Sequence, residues 1–222
     1  MFIRMMQVLA LAIVILVAIL QGVVKSETLE VEYLPNGGAA ILFEGEFTHE
    51  TGKRLLSIIK ETGAKTVVFN SPGGIAQEGY IVAWVLEDRG IHAVVRHGSS
   101  CMSACAIGVL GADTYTIKGI LGFHPTYLPQ EVGKPSEAFA EGQRVGMRNT
   151  FFLEDKGVSR QVIRTILYLA DPKTFMVFTS NEDLSAIFTG KMTPSELVSH
   201  IWGPRELGMY HWLTKQGENL ND

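Results

Sequence analysis

The chain has 222 residues, of which 46% are hydrophobic and 19% are charged, and its formal net charge is −4. This length suits one domain with a sizeable buried core. The charge pattern argues against a nucleic-acid-binding protein, because no run of lysine or arginine exceeds two adjacent residues and phosphate contacts need a basic surface. Six scattered histidines and two cysteines form no zinc-binding pattern, so we expect neither a metal nor another cofactor.

The first 26 residues differ from the rest of the chain. Arg4 precedes an uninterrupted apolar run over residues 8–20, which is typical of a secretory signal, and cleavage would fall just before Glu27. Residues 5–24 are also just long enough to span a bilayer as an uncleaved anchor. Both interpretations predict export, so we expect a periplasmic or otherwise extracytoplasmic protein, secreted or anchored in the inner membrane by residues 1–26.

Predicted strands and helices alternate along the first part of residues 27–222. Continuous or alternating apolar residues predict strands over 29–34, 39–43, 66–70, 91–95 and 114–117. Helical spacing predicts helices over 48–62 and 75–89, the second ending at Gly90, and a short helix of small residues over 103–110. Strands that alternate with helices indicate parallel βαβ units, and therefore an α/β fold.

The later residues have a mainly helical pattern. A helical stretch over 136–169 is interrupted at Gly157, and Ser159 is suited to capping the helix that follows. Residues 175–178 are compatible with a strand, and residues 193–201 with a helix capped by Thr193. No linker-like composition divides residues 27–222, so we expect one domain there.

The first motif with chemical potential is Asn-Ser-Pro-Gly-Gly over residues 70–74. It follows a predicted strand and precedes a predicted helix. Gly73 and Gly74 permit positive φ angles and can bring backbone N–H groups close to an anion or a polarised carbonyl oxygen. An ordinary strand-to-helix turn explains the same residues, and the Gly-Lys-Ser/Thr of a phosphate-binding loop is absent.

Ser103 is the candidate nucleophile. It begins the predicted small-residue helix, where its hydroxyl would be exposed and the N–H of Ala104 would lie beside a developing oxyanion. The Gly-x-Ser-x-Gly elbow of α/β-hydrolases is absent. A buried small residue or a helix cap is the simpler interpretation, and Ser99 and Ser100 are alternative caps.

His124 is the candidate base, because it follows the apolar residues 120–123 at the end of a predicted strand. His97 also follows a strand and is nearer to Ser103 in sequence, so the residues alone favour His124 only slightly. Lys118, the first lysine after Ser103, would serve in a serine–lysine dyad instead.

Cys101 and Cys105 bracket the candidate nucleophile. In an exported protein a cysteine pair indicates a disulfide, which would make the serine turn more rigid. A bond between residues i and i+4 is awkward in a regular helix, so two buried thiols are an equal alternative. A thiol nucleophile at either position is a third interpretation.

Together, Asn-Ser-Pro-Gly-Gly, Cys-Met-Ser-Ala-Cys-Ala and Gly-Phe-His-Pro resemble the Clp-type serine peptidase superfamily, within the crotonase-like fold. The likeness is greatest to exported bacterial Clp-like proteins and covers residues 43–125. It implies repeated β-β-α units followed by a helical C-terminal part. It also implies that Ser103 is the nucleophile, that His124 is the base, and that N–H groups of Gly73, Gly74 and Ala104 form the oxyanion hole.

The same resemblance implies a third triad member after a helix and before a phenylalanine-containing segment. Asp171 fits that order and would orient the imidazole, although Asp171-Pro172 is also an ordinary helix-ending turn. Glu154, Asp155 and Asp183 are the alternatives.

By resemblance, the chain is expected to be a serine hydrolase that cleaves a peptide or protein through an acyl-enzyme and associates into homo-oligomers. Residues 1–26 would contact the membrane if they are not cleaved. Two other functions share the fold: a catalytically inactive Clp-like module that binds peptides or scaffolds an envelope assembly, and crotonase-type chemistry on a thioester.

Overall fold

A computed structural model describes residues 27–35, 37–126, 134–169, 173–189 and 192–209. The predicted signal or anchor segment lies outside these residues, and so does Asp171. Within the described ranges, none of the helices combines the length and the apolar character that crossing a membrane requires.

Strands and helices alternate over the first half of the described chain, and helices dominate afterwards. In chain order the elements are β1 (Thr28–Tyr33), β2 (Ala39–Glu44), α1 (Thr51–Thr62), β3 (Thr66–Asn70), α2 (Ala76–Arg89), β4 (His92–Val95), β5 (Ser100–Met102), α3 (Ala104–Val109), β6 (Thr114–Ile117), β7 (Ile120–Phe123), α4 (Pro135–Asp155), α5 (Arg160–Tyr168), β8 (Phe175–Phe178), α6 (Asn181–Thr189), α7 (Pro194–Ser199) and β9 (Ile201–Trp202).

The larger sheet has the strand order β1-β2-β3-β4-β6, with β1 antiparallel to β2 and the other pairs parallel. The central strands β2 and β3 are rich in apolar residues because they are buried along most of their length. Phe43, Phe47 and Phe69 pack together at one end, with ring centroids 4.9–6.4 Å apart.

The smaller sheet has the order β5-β7-β8-β9, in which only β5 and β7 are parallel. It joins the larger sheet where the Ser71 N–H donates to the Ser100 carbonyl (2.6 Å) and the Met102 N–H donates to the Ser71 carbonyl (3.0 Å). The chain therefore leaves β3, β5 and β7 at one shared edge, which is where the three sequence motifs lie.

The α/β interpretation and the predicted strands and helices up to residue 123 are confirmed, with shifts of at most three residues at their ends. The cap predicted at Ser159 is also confirmed, because its Oγ accepts a hydrogen bond from the Val162 N–H. Thr193 accepts from the Glu196 N–H in the same way, and that helix ends at Ser199 rather than at 201.

Three elements were not predicted: β5, α6 and β9. Strand β5 spans only three residues, Ser100–Met102. A segment this short carries no periodicity, and its strand conformation depends on pairing with β7.

Candidate active site

The glycine turn lies directly against the candidate nucleophile. Gly73 and Gly74 have φ angles of +98° and +140°, which disfavour residues with side chains. A Cβ built on Gly73 would stand 2.7 Å from the Cβ of Ser103, and one built on Gly74 would stand 2.3 Å from the Phe47 carbonyl oxygen. Only glycine lets the backbone approach this closely.

The two glycines differ in their hydrogen bonds. The Gly73 N–H donates to the buried Oγ of Ser71 at 3.1 Å, and the Gly73 carbonyl accepts from the Phe47 N–H at 2.7 Å. The expectation that Gly73 supplies an oxyanion-hole donor does not fit this arrangement, because its N–H already has an acceptor. The N–H groups of Gly74 and Ala104 are the better candidates, and Ala104, as the first residue of α3, has no intrahelical acceptor.

Ser103 has an unusual backbone conformation at the junction of β5 and α3. Its φ is +56°, and in the described part of the chain only Glu50 is another non-glycine residue with positive φ. Such residues are uncommon and concentrate at functional sites. The Ser103 N–H donates to the Gly122 carbonyl at 2.8 Å, which fixes the turn to β7.

Ser103 and His124 are joined by a hydrogen bond of 2.7 Å between Oγ and Nε2. The His124 Nδ1 lies 2.8 Å from the Pro125 carbonyl oxygen, an acceptor, so Nδ1 carries the proton and Nε2 accepts from the serine hydroxyl. The Phe175 ring packs edge-on against the imidazole, with centroids 4.8 Å apart. Burial lowers the pKa of His124 below its ordinary value, and the Pro125 hydrogen bond opposes this shift. The imidazole is therefore neutral near pH 7.

The structure joins Cys101 and Cys105 by a disulfide with a Cα–Cα distance of 5.2 Å, and both residues are fully buried. Cys101 lies in β5, whereas Cys105 lies in α3. The geometric objection to an i, i+4 bond does not apply, because the pair crosses a strand-to-helix junction instead of lying within one helix. No sulfur is left for a thiol nucleophile at either position.

The alternative bases lie elsewhere. His97 is exposed after β4, and Lys118 is exposed at the turn between β6 and β7. Of the alternative acids, Glu154 faces Arg160 at 3.6 Å and Asp183 accepts from the Thr179 hydroxyl at 3.3 Å, while Asp155 is exposed at the end of α4. The structure brings Ser103, His124 and the glycine turn together and leaves these others apart.

Ser103 opens into a cleft of about 850 Å³. The glycine turn and the start of α3 form one wall, and side chains from α4, α5 and β8 form much of the other. The second wall could not be identified from the sequence, because its apolar and polar residues have the spacing of any amphipathic helix and form no motif. No cluster of metal-ligating side chains occurs among the residues that the structure describes.

No family model and no curated protein matches the sequence. Among solved structures, a single-residue variant of ClpP1 from Listeria monocytogenes is similar, with a TM-score of 0.52 and 15% identity over 71% of this chain and 94% of that chain. A single-residue variant of the 1510-N membrane-bound stomatin-specific protease has a TM-score of 0.44 and 14% identity over 67% of this chain and 75% of that chain. The likeness to ClpP1 confirms the fold that the three motifs predict: the chain has the fold of the Clp-type peptidases.

Proposed function

We propose that the chain is a serine hydrolase, specifically a peptidase that acts through an acyl-enzyme. The hydrogen bond of 2.7 Å between Ser103 Oγ and His124 Nε2 is the observation that carries this proposal. A hydroxyl becomes a strong nucleophile only when a positioned base takes its proton, and a neutral imidazole beside it is such a base. The fold alone would not distinguish an enzyme from a binding module.

In the proposed reaction, Ser103 Oγ attacks the carbonyl carbon of the scissile bond while His124 Nε2 takes the hydroxyl proton. The N–H groups of Gly74 and Ala104 donate to the oxygen that becomes negative in the tetrahedral intermediate. The imidazolium returns the proton to the leaving amine, and water then hydrolyses the acyl-enzyme by the same route. The family resemblance gives Asp171 the role of orienting and stabilising the imidazolium. Because the Nδ1 proton is donated to the Pro125 carbonyl in this structure, that role requires Nδ1 to exchange this acceptor for the carboxylate.

Labelling with a fluorophosphonate probe tests this assignment. We expect the probe to label the folded full-length chain at Ser103, as mapped by mass spectrometry, and to label neither Ser103→Ala nor His124→Ala. Ser99→Ala is the matched control, because Ser99 lies four residues earlier in a turn outside the cleft. Absence of labelling in folded protein would contradict the proposal and favour a non-catalytic Clp-like binding or scaffolding module.

We further propose that the enzyme works outside the cytoplasm, either secreted or held at the inner membrane. The apolar segment over residues 8–20 supports this location, as does the disulfide, because disulfides persist in oxidising compartments. A fused reporter enzyme that is active only after export should be active behind the full chain and inactive when residues 1–26 are deleted. Equal reporter activity without these residues would contradict the proposed location.

A further inference from the structure

The wall of the cleft that faces the glycine turn and the start of α3 is mostly apolar. Its apolar side chains are Val145 and Leu153 of α4, Ile166 of α5 and Phe175 of β8, and Ile107 of α3 and Phe123 of β7 extend the apolar lining beside them. Such a surface would suit an aliphatic side chain of the substrate if nothing interrupted it.

Polar side chains of α2 and α4 also line the cleft, and most of them have partners: Glu141 pairs with Arg144, and Arg148 donates to Gln77. Tyr80 of α2 and Asn149 of α4 are different. The Tyr80 hydroxyl oxygen and the Asn149 Oδ1 are both buried, and neither has a hydrogen-bond partner within the part of the chain that the structure describes. Asn149 is only 4% exposed. Buried polar groups in folded proteins nearly always have partners, so a pair without them beside a cleft indicates that a ligand completes their hydrogen bonds.

Packing places the two residues at one contact between α2 and α4. The Tyr80 ring meets the Phe152 ring edge-on at 5.3 Å, and Asn149 precedes Phe152 by three residues, on the same side of α4. Burial raises the pKa of Tyr80, while the nearby Arg148 guanidinium acts in the opposite direction. The phenol therefore stays protonated at neutral pH and can donate a hydrogen bond.

We propose that Tyr80 and Asn149 recognise the substrate side chain next to the scissile carbonyl and select an uncharged side chain that ends in a hydrogen-bonding amide, as in glutamine. This inference rests on the proposed peptidase activity. The selected side chain belongs to the substrate residue that contributes the scissile carbonyl. Because Ser103 attacks that carbonyl, we expect this side chain to enter the cleft beside Ser103. An amide supplies the N–H that Asn149 Oδ1 lacks and a carbonyl that accepts from the Tyr80 hydroxyl.

Charged and aliphatic side chains fit less well. A cation would meet the Arg148 guanidinium, which lies close enough to Tyr80 to affect its pKa. A carboxylate would lose its hydration against apolar side chains and face the Asn149 carbonyl oxygen, while Arg148 is exposed and already donates to Gln77 Oε1 at 2.5 Å. An aliphatic side chain would leave both polar groups unpaired.

The test compares fluorogenic peptides that differ only at this residue, which is glutamine, methionine, glutamate or lysine. We expect kcat/KM for glutamine to exceed that for methionine, which has nearly the same length, by about tenfold. Tyr80→Phe and Asn149→Leu should each reduce this ratio severalfold. Gln143→Leu is the matched control, because it makes a similar change on the exposed side of α4, and it should keep the ratio.

Two results would overturn the inference: equal kcat/KM for glutamine and methionine, or a ratio that neither variant changes. If the variants slow all four peptides alike, the two polar groups bind the peptide backbone, and selection by the side chain is excluded. Binding of the same peptides to Ser103→Ala, followed by fluorescence anisotropy, separates this inference from the proposed function. If Ser103→Ala binds the glutamine peptide preferentially and the unsubstituted protein cleaves none of the peptides, the proposed peptidase activity is wrong and the inferred side-chain specificity stands.

Discussion

The two walls of the cleft present different kinds of chemical group, main-chain groups on one wall and side chains on the other. On one wall the groups beside Ser103 are main-chain groups of Gly74 and Ala104, held by the ends of β3 and β5. On the other wall they are side chains of α4 and α5, such as Asn149 and Ile166. Main-chain groups can act on the carbonyl that every peptide has, whereas side chains can distinguish one substrate from another. Changes on the first wall should therefore impair all substrates, and changes on the second should alter the choice among them.

The strongest test of this contrast is Gly74→Ala. The added methyl group would meet the Phe47 carbonyl oxygen at 2.3 Å in a backbone conformation with φ of +140°, so the turn must move. Losing one oxyanion donor lowers kcat by about 10²–10³-fold. We expect a loss of this size for every peptide in the series, measured as kcat in folded protein.

Gly146→Ala is the control for Gly74→Ala. Gly146 lies inside α4 with nothing within 4 Å of an added Cβ, so alanine should stabilise the fold by about 0.5–1 kcal/mol. If Gly74→Ala lost activity toward only some of the peptides, the expectation that changes on this wall impair all substrates alike would be wrong.

The pH dependence of kcat/KM tests the proposed role of His124 as the base. Only the neutral imidazole can accept the serine proton, and burial lowers the pKa of His124 below its ordinary value of 6.5. The acidic limb of the kcat/KM profile should therefore have a midpoint below pH 6.5, with about a tenfold loss per unit further down. A midpoint above pH 6.5 would contradict a buried, neutral base.

The same titration affects stability. Since the folded chain disfavours protonated His124, the unfolded chain binds the proton first as the pH falls through 6.5. This residue should reduce the free energy of unfolding between pH 6.5 and the lower pKa of the folded state, and His124→Gln should remove that slope in denaturant titrations.

Replacing both cysteines tests how much the Cys101–Cys105 disulfide contributes to the stability of the fold and to the conformation of the Ser103 turn. The bond closes a very short loop, so Cys101→Ala with Cys105→Ala should lower the free energy of unfolding by about 2 kcal/mol. Fluorophosphonate labelling of Ser103 should slow as well, because the turn that maintains its positive φ loses a crosslink. Unchanged labelling would show that the strand register alone is sufficient. Each single variant serves as a comparison, because both lose the bond.

The smallest effect is expected from Ser71→Ala. Removing the buried Oγ leaves the Gly73 N–H without its acceptor, which should cost about 1 kcal/mol of stability and lower kcat severalfold. Chemical denaturation and kcat for two unlike peptides measure these effects. A change in the ratio of the two peptides, instead of an equal decrease, would place Ser71 in substrate selection.

The side of the cleft that carries Ser103 and His124 could be predicted from sequence because its motifs are local and resemble those of Clp-type peptidases; the residues alone favoured His124 over His97 only slightly. Paired glycines after a strand, a serine before small residues and a histidine after an apolar strand each mark a chain turn, and parallel strands bring such turns to one edge. Gly73, Gly74 and Ala104 were all expected to donate to the oxyanion, and the loss of Gly73 from this set could not be predicted, since it depends on one hydrogen bond to Ser71. Nor could Tyr80 and Asn149, because their separation of 69 residues is closed only by the packing of α2 on α4.

The parallel register of β5 and β7 sets Met102 opposite Gly122, so Ser103 follows this register pair by one residue and His124 follows it by two. The relative position of the Ser103 and His124 side chains is therefore set by the pairing register of β5 and β7. It does not depend on the number of residues in the segment after His124. One extra residue after Gly122 would turn the imidazole to the opposite face of the strand. The helices beyond are under no such constraint. Under the proposed function, substitutions in α4 and α5 can therefore change substrate preference over evolution without moving the Ser103–His124 pair.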